Sequence, residues 1–388
     1  VAAALAAACA LAWAEGSPLV PREGGRVEGD APVFLALIAA AFAAYLAAVL
    51  LAGRRPVGLR HALALAVAVQ LVPLAAPLLL STDAWTYWAY GEVARAGGDP
   101  YADVPAAFPG SPALPFMGAD WRDTTSVYGP AFTLASELVA AVLDTADPIA
   151  WLFKAAAAAA LLTATWCAAR LSRAPARAAI VVGWNPVLAV HAAGGGHNDA
   201  WVAALVLGAL ALGAAGRRQW AGVAWAAGIL VKWVPAMFLA LRALEARATR
   251  RRAGHAGFAV GLVVLAGLAT WRYGLDWLRA FGPLADHAGE ETSVALPRRL
   301  EQLGVPDAAA LGLAAAALAV GLAALALGAA RGRARLGSAA LLLLATTPWL
   351  AVWYLLWAVP LAAVEDDRRV ELAALALCAY LLPQAIPL

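Results

Sequence analysis

Residues 78–91 read LLLSTDAWTYWAYG: an apolar run stops at Leu80, and Asp83 opens a stretch crowded with tryptophan and tyrosine. A carboxylate at such a border has three readings. It can cap the helix that starts there. It can bind a cation. It can also take a proton from a hydroxyl at the lipid–water interface. Taken alone, the capping reading is the safest. What lies on either side of this stretch decides among them.

Working outward, the chain is far too apolar for one water-facing core. Its 388 residues are 63% hydrophobic and 14% charged, with a mean hydropathy of +0.75. Soluble domains run at about 45–50% apolar and about 25% charged. Apolar segments recur at 1–14, 31–52, 61–80, 149–170, 178–193, 198–216, 219–247, 256–272, 306–330, 336–361 and 370–388. Lipid offers the backbone no water partner, so each must be a helix or part of a closed barrel. Their length and continuous apolarity predict helices. The net charge of +3 comes from arginines gathered in short loops. That pattern reads as membrane sidedness and argues against nucleic-acid binding. Cys9, Cys167 and Cys378 lie far apart in apolar segments and predict packing residues, not a disulfide framework. No basic stretch precedes the first apolar run, so a cleaved signal peptide is not expected.

The arginine loops include Arg54, Arg55 and Arg60, then Arg170 to Arg177, Arg217 and Arg218, Arg242 to Arg252, Arg331 to Arg335, and Arg368 and Arg369. Placing them all in the cytoplasm puts residues 15–30, 81–148, 194–198 and 273–305 outside. The segments 81–148 and 273–305 are then two long outer loops on a single membrane domain, 1–388. That sidedness requires 219–247 and 336–361 to be broken hairpins, with breaks near Pro235 and Pro348. Irregular backbone is tolerated at that depth where it lines a protein cavity. Residues 126–143 fit a helix near the outer interface.

The polar residues of this outer side form a second signal. Residues 191–201 read HAAGGGHNDAW, so His197, Asn198 and Asp199 follow a glycine run at the start of a span. One cap explains Asn198 or Asp199, but not all three polar side chains together. An aspartate and a histidine without a third ligand make a weak metal site. Lys232 stands inside an apolar segment, where a cation must snorkel, pair with a carboxylate or face water. Trp349, Trp353, Tyr354 and Trp357 cluster after Pro348; such rings stack on sugars or fill membrane interfaces. Asp103, Asp120, Arg122, Asp123 and Tyr128 stud the first long loop. Glu290, Glu291, Arg298 and Arg299 stand in the second, where they can contact an acceptor or a phosphate.

The order DAWTYWAYG…GGDPY, SVYGP, WNP…GGGHNDAW, VKWVP and TPWLAVWYLLW, over about 31–361, resembles the membrane glycosyltransferases of the GT-C fold. Within them it is most similar to the actinobacterial alpha-mannosyltransferases that depend on polyprenol-phosphate mannose. The resemblance implies an all-alpha polytopic membrane protein with about 11–13 transmembrane or partly spanning helices. It implies transfer of a sugar, mannose in that family, from a polyprenyl phosphate donor to a glycan or glycolipid acceptor. The reaction faces the extracytoplasmic side of the plasma membrane, among membrane lipids, with inversion and with no metal or other cofactor. Asp83 matches the family's general base, His197–Asp199 its glycine-histidine-asparagine-aspartate stretch, and Lys232 with Pro235 its helix break. A soluble C-terminal domain, present in larger relatives, is not expected. On this scheme Lys232, His197 and Arg122 hold the donor phosphate, and Tyr87, Tyr128, Asn198, Asp199, Trp349 and Tyr354 contact sugar or acceptor. A transporter or flippase, a lipid-linked polymerase or ligase, and a non-enzymatic assembly protein are the competing classes. A transporter of this kind is expected to show two pseudo-symmetric halves, and no convincing internal repeat is present.

Overall fold

The computed structural model describes residues 1–21, 30–54, 57–251, 254–287 and 290–388. Arg55, Arg252 and half of the segment 15–30 lie outside the described residues. No strand occurs among the described residues, and the architecture is an all-α, multi-span bundle. The chain opens with α1 (Ala2–Ala10), α2 (Ala31–Ala52) and α3 (Leu59–Ala75). The first long loop contributes α4 (Asp83–Arg95) and α5 (Pro130–Val142). Then come α6 (Ala146–Leu171), α7 (Pro175–Gly183), α8 (Pro186–Ala189), α9 (Asp199–Ala214), α10 (Arg218–Val231), α11 (Pro235–Ala248) and α12 (His255–Tyr273). The remainder is α13 (Phe281–His287), α14 (Leu296–Gln302), α15 (Asp307–Ala330), α16 (Leu336–Thr346), α17 (Leu355–Ala363) and α18 (Arg368–Leu381).

Alanine and leucine dominate these helices because they lose least on entering one. Among the described residues, α2, α6, α12 and α15 are long and apolar enough to cross a membrane. A fifth is gained if α7 and the helical stretch from Pro186 to Gly194 count as one bent span. The 24 residues of α15 extend about 36 Å, enough for a hydrocarbon core of about 30 Å. Val263 on α12 and Val320 on α15 are 69% and 70% exposed, which suits a lipid-facing surface. α1, α3, α5, α9, α16 and α17 are apolar but shorter.

Four expected spans are corrected, among them 370–388, which stops being helical at Leu381. The segment 178–193 is not one helix: it bends by 54° between Gly183 and Pro186. Pro186 has no N–H with which to continue α7, and Asn185 Oδ1 accepts from Val187 N (3.0 Å) and Leu188 N (3.3 Å), starting a new helix. The segment 61–80 stops being helical at Ala75, because Ala76 is extended ahead of Pro77. Its last carbonyls are not orphaned. Lys154 of α6, fully buried, donates its ammonium to the carbonyls of Leu74 (3.2 Å), Ala76 and Pro77 (3.1 Å). The segment 149–170 starts earlier, at Ala146. The breaks near Pro235 and Pro348 fall where expected: residues 232–234 separate α10 from α11, and 347–351 follow α16.

Residues 81–148 form a packed unit with α4 lying on α5. α4 is buried along nearly its whole length, and Tyr90 donates its hydroxyl to the carbonyl of Thr124 (3.0 Å). The SVYGP stretch docks directly on the end of α10, where Gly129 N donates to Val231 O (3.1 Å). A Cβ at Gly129 would stand 2.2 Å from the carbonyl oxygen of Leu230, so only glycine permits this approach. The same unit is thereby held against the Lys232 break.

Candidate functional site

Asp83, Asp199 and Pro235 each begin a helix, and the side chains at or beside these starts meet one another and the Trp353–Trp357 stretch that leads into α17. Asp83 is the first residue of α4, with its backbone N–H on Ser81 Oγ (3.1 Å). Its Oδ2 accepts from the Tyr87 hydroxyl one turn later (3.2 Å) and lies 3.1 Å from His197 Nδ1. A carboxylate only accepts, so Nδ1 carries the proton. Oδ1 has no hydrogen-bond partner among the described residues, and the side chain is 15% exposed. Burial works against the charge on Asp83. The His197 ring and its hydrogen bond, Lys232 and Ser81 outweigh it and hold the carboxyl below its ordinary value of 3.8. Tyr87 moves the other way: burial and then Asp83 push its phenol well above the tyrosine range, so it stays a donor.

His197 is positioned by backbone and by stacking. A helical turn of the wide, π type covers Val190–Gly194, and Gly196 follows in the left-handed region at φ 72°. The turn is fixed to the strand-like approach to α4 by Leu79 N on Gly194 O (3.0 Å). The imidazole lies flat on Trp353, with centroids 4.3 Å apart and planes 12° apart. His197 Nε2 and both amide atoms of Asn198 are buried with no partner among the described residues. Asn198 N takes the other side of the Tyr87 hydroxyl (3.3 Å), so Tyr87 joins the two clusters.

Lys232 and Asp199 form the second half. Lys232 Nζ is 2.8 Å from both carboxylate oxygens of Asp199, and Trp357 Nε1 donates to Oδ1 (2.9 Å). Asp199 is 1% exposed, whereas the Lys232 side chain is 22% exposed and sits 5.0 Å over the Tyr354 ring. An ammonium has three N–H donors, so one remains after Asp199. Tyr128 is buried and packs edge-on to Tyr87, 5.1 Å between centroids.

Two sequence candidates stand in loops. Arg122 follows the short helical turn Ala119–Trp121, which sits on the first turn of α4 through Gly118 N and Thr86 Oγ1 (3.4 Å). Trp349 is half-buried in the loop after α16. In the second long loop, Arg298 pairs with Glu301 (2.6 Å) and Arg299 donates to the Tyr380 hydroxyl (2.9 Å). Glu291 and Glu301, with Asp307 at the start of α15, form the one group of three metal-capable side chains among the described residues. Trp353 and Trp357 were read from sequence as members of an aromatic cluster without an individual role, and Lys154 was not singled out. The tryptophans belong to the quoted TPWLAVWYLLW stretch; for Lys154 the available signal was a cation inside the apolar segment 149–170, the same signal that marked Lys232.

The fold and the clustered charges at its helix breaks define a multi-span membrane protein with a polar site between helices. Residues 1–248 match the family described as "Alpha-(1->6)-mannopyranosyltransferase, N-terminal domain", and the chain belongs to that family. It is similar to alpha-(1->6)-mannopyranosyltransferase A of Corynebacterium glutamicum, at 31% identity over 53% of this chain and 48% of that protein. The enzyme of the same name in Mycobacterium tuberculosis is 31% identical over 37% of this chain and 29% of its own length. The chain thus matches about half, or less, of the length of these curated relatives. No solved structure matches it.

Proposed function

We propose that the chain is a glycosyltransferase of the GT-C type. It transfers a sugar, mannose by family, from a polyprenyl phosphate donor to a hydroxyl of a glycan or glycolipid on the extracytoplasmic side. Asp83 carries this reading: one carboxylate oxygen is held by two donors and the other is left open. In the proposed step Oδ1 accepts the proton of the acceptor hydroxyl as that oxygen attacks the anomeric carbon. The carbon–oxygen bond to the phosphate breaks on the opposite face, and the phosphate leaves with the electron pair. One displacement inverts the configuration and gives an alpha-linked product from a beta-linked donor. Lys232, with its remaining N–H, and Arg122 receive the developing phosphate charge. Asp199 holds Lys232 in place, with both its oxygens committed to Lys232 and Trp357. His197 Nε2 and the Asn198 amide offer unspent donors and acceptors to sugar hydroxyls or phosphate, and Tyr128, Trp349 and Tyr354 supply ring faces.

Incubating the purified protein with radiolabelled polyprenyl phosphate mannose and a lipid extract should move the label into a new glycan or glycolipid. Donor recovered intact with every acceptor fraction would refute the proposal.

The electrostatics of Asp83 give a pH prediction. Its carboxyl is held below the ordinary value of 3.8, so the base form persists across the physiological range and the acid limb of kcat/KM lies below the ordinary aspartate range. In His197→Gln the ring's attraction is gone, burial weighs more, and the Asp83 pKa rises. The acid limb should therefore move to higher pH. A pH–rate profile that keeps its acid limb in this variant removes His197 as the partner of the base.

A further inference from the structure

The far ends of the site-forming helices line a half-open chamber. α9 carries Asp199 at one end, and its 16 residues place the other end about 24 Å away. There, the start of α10, the end of α11, the start of α12 and the turns leaving α15 and α17 surround a cavity of about 1210 Å³. The proposed transfer reaction uses none of it.

Its charge is lopsided. Arg218, Arg250, Arg251 and Arg333 line it, and none has an ion pair or a side-chain hydrogen bond among the described residues. The acidic residues in the wall are already engaged. Glu245 pairs with Arg242 and accepts from Ala334 N (3.1 Å). Glu365 accepts from the backbone N–H of Ser338 (2.8 Å) and from its hydroxyl. Arg335 is taken up by Asp367 (3.3 Å). The Glu245 contact also latches the α11 end to the α15–α16 turn, and Gly332 in that turn stands against Thr249. The arginines are therefore carried on a braced frame.

Apart from His255, the remaining wall is apolar. Trp225 and Phe258 line the chamber, and Phe258 lies on the same helix as Val260, which is 59% exposed on the outside of the bundle. Guanidinium groups match phosphate oxygens with paired N–H donors. Basic pockets between spanning helices take anionic lipid heads, whereas free phosphate has no use for the apolar wall. We propose that this chamber binds the phosphate head of an anionic lipid, with Arg218, Arg250, Arg251 and Arg333 on the phosphate and Trp225 and Phe258 along the chain.

The test is a competition read by native mass spectrometry on the detergent-purified protein, with equimolar phosphatidylglycerol and phosphatidylcholine. The parent retains phosphatidylglycerol preferentially. Each arginine contributes about a factor of five. The triple variant Arg218→Gln/Arg250→Gln/Arg251→Gln therefore loses about a hundredfold in that preference, and Arg333→Gln alone about fivefold. Melting in phosphatidylcholine, unchanged between parent and variants, shows that the fold is intact. Equal retention of the two lipids by the parent, or an unaltered preference in both variants, overturns the proposal. Inorganic phosphate that stabilises the parent as much as phosphatidylglycerol does also overturns it, in favour of a free anion. The lipid readout is independent of sugar transfer, so it stands or falls apart from the proposed activity.

Discussion

Asp83→Asn lowers the rate of sugar transfer by about 10² to 10⁴-fold, the usual worth of a positioned general base, and leaves donor binding close to that of the parent. The argument is one of near-identical shape. Asparagine keeps an oxygen for the Tyr87 hydroxyl and His197 Nδ1, which now meet at Oδ2. The helix start keeps its Ser81 contact through the backbone N–H. What disappears is the charge and the open basic oxygen. Transfer from radiolabelled polyprenyl phosphate mannose, alongside donor binding by the same preparation, measures both quantities. A variant that transfers at the parental rate ends the assignment.

The second large effect is on folding. Lys232→Met leaves the carboxylate of Asp199, 1% exposed, with Trp357 as its remaining partner. Breaking a buried pair from one side costs about 3–5 kcal/mol, which should appear as a marked fall in melting temperature. Adding Asp199→Asn removes the stranded charge, keeps an acceptor for Trp357, and should restore most of the loss. The double variant separates two roles. If Lys232 meets the donor phosphate, the refolded protein remains deficient in transfer. Parental transfer by the double variant reduces Lys232 to a structural cation, and a single variant as stable as the parent contradicts the buried pair.

The sequence reading succeeded where a local signal was strong. Proline after a lysine in an apolar run marked the break at 232–234, and the aromatic border at 78–91 marked the start of α4. It failed where an apolar run masked punctuation. The Asn185–Pro186 pair sits in a continuous hydrophobic stretch, and only the amide cap and the missing proline N–H reveal the 54° bend. Partnerships were least legible. His197 meets Asp83 across 114 residues, Asp199 meets Trp357 across 158, and Lys154 reaches carbonyls about 80 residues away. Such pairs follow from helix packing, which one sequence does not encode in any local pattern. Lys232 shows the same limit: a carboxylate partner was one of its expected readings, but nothing local named Asp199 as that partner.

The meeting of three helix starts at Asp83, Asp199 and Pro235 has a consequence for turnover. Each start is the positive end of a backbone dipole that lies along the helix axis, roughly half a unit charge. These dipoles are built into the backbone and cannot swing away as a side chain does. In the proposed reaction a phosphate diester with one negative charge becomes a monoester with up to two. The field that steadies the leaving group therefore holds the spent lipid more firmly than the fresh one. Departure of the product, rather than sugar transfer, would then set the pace of the cycle.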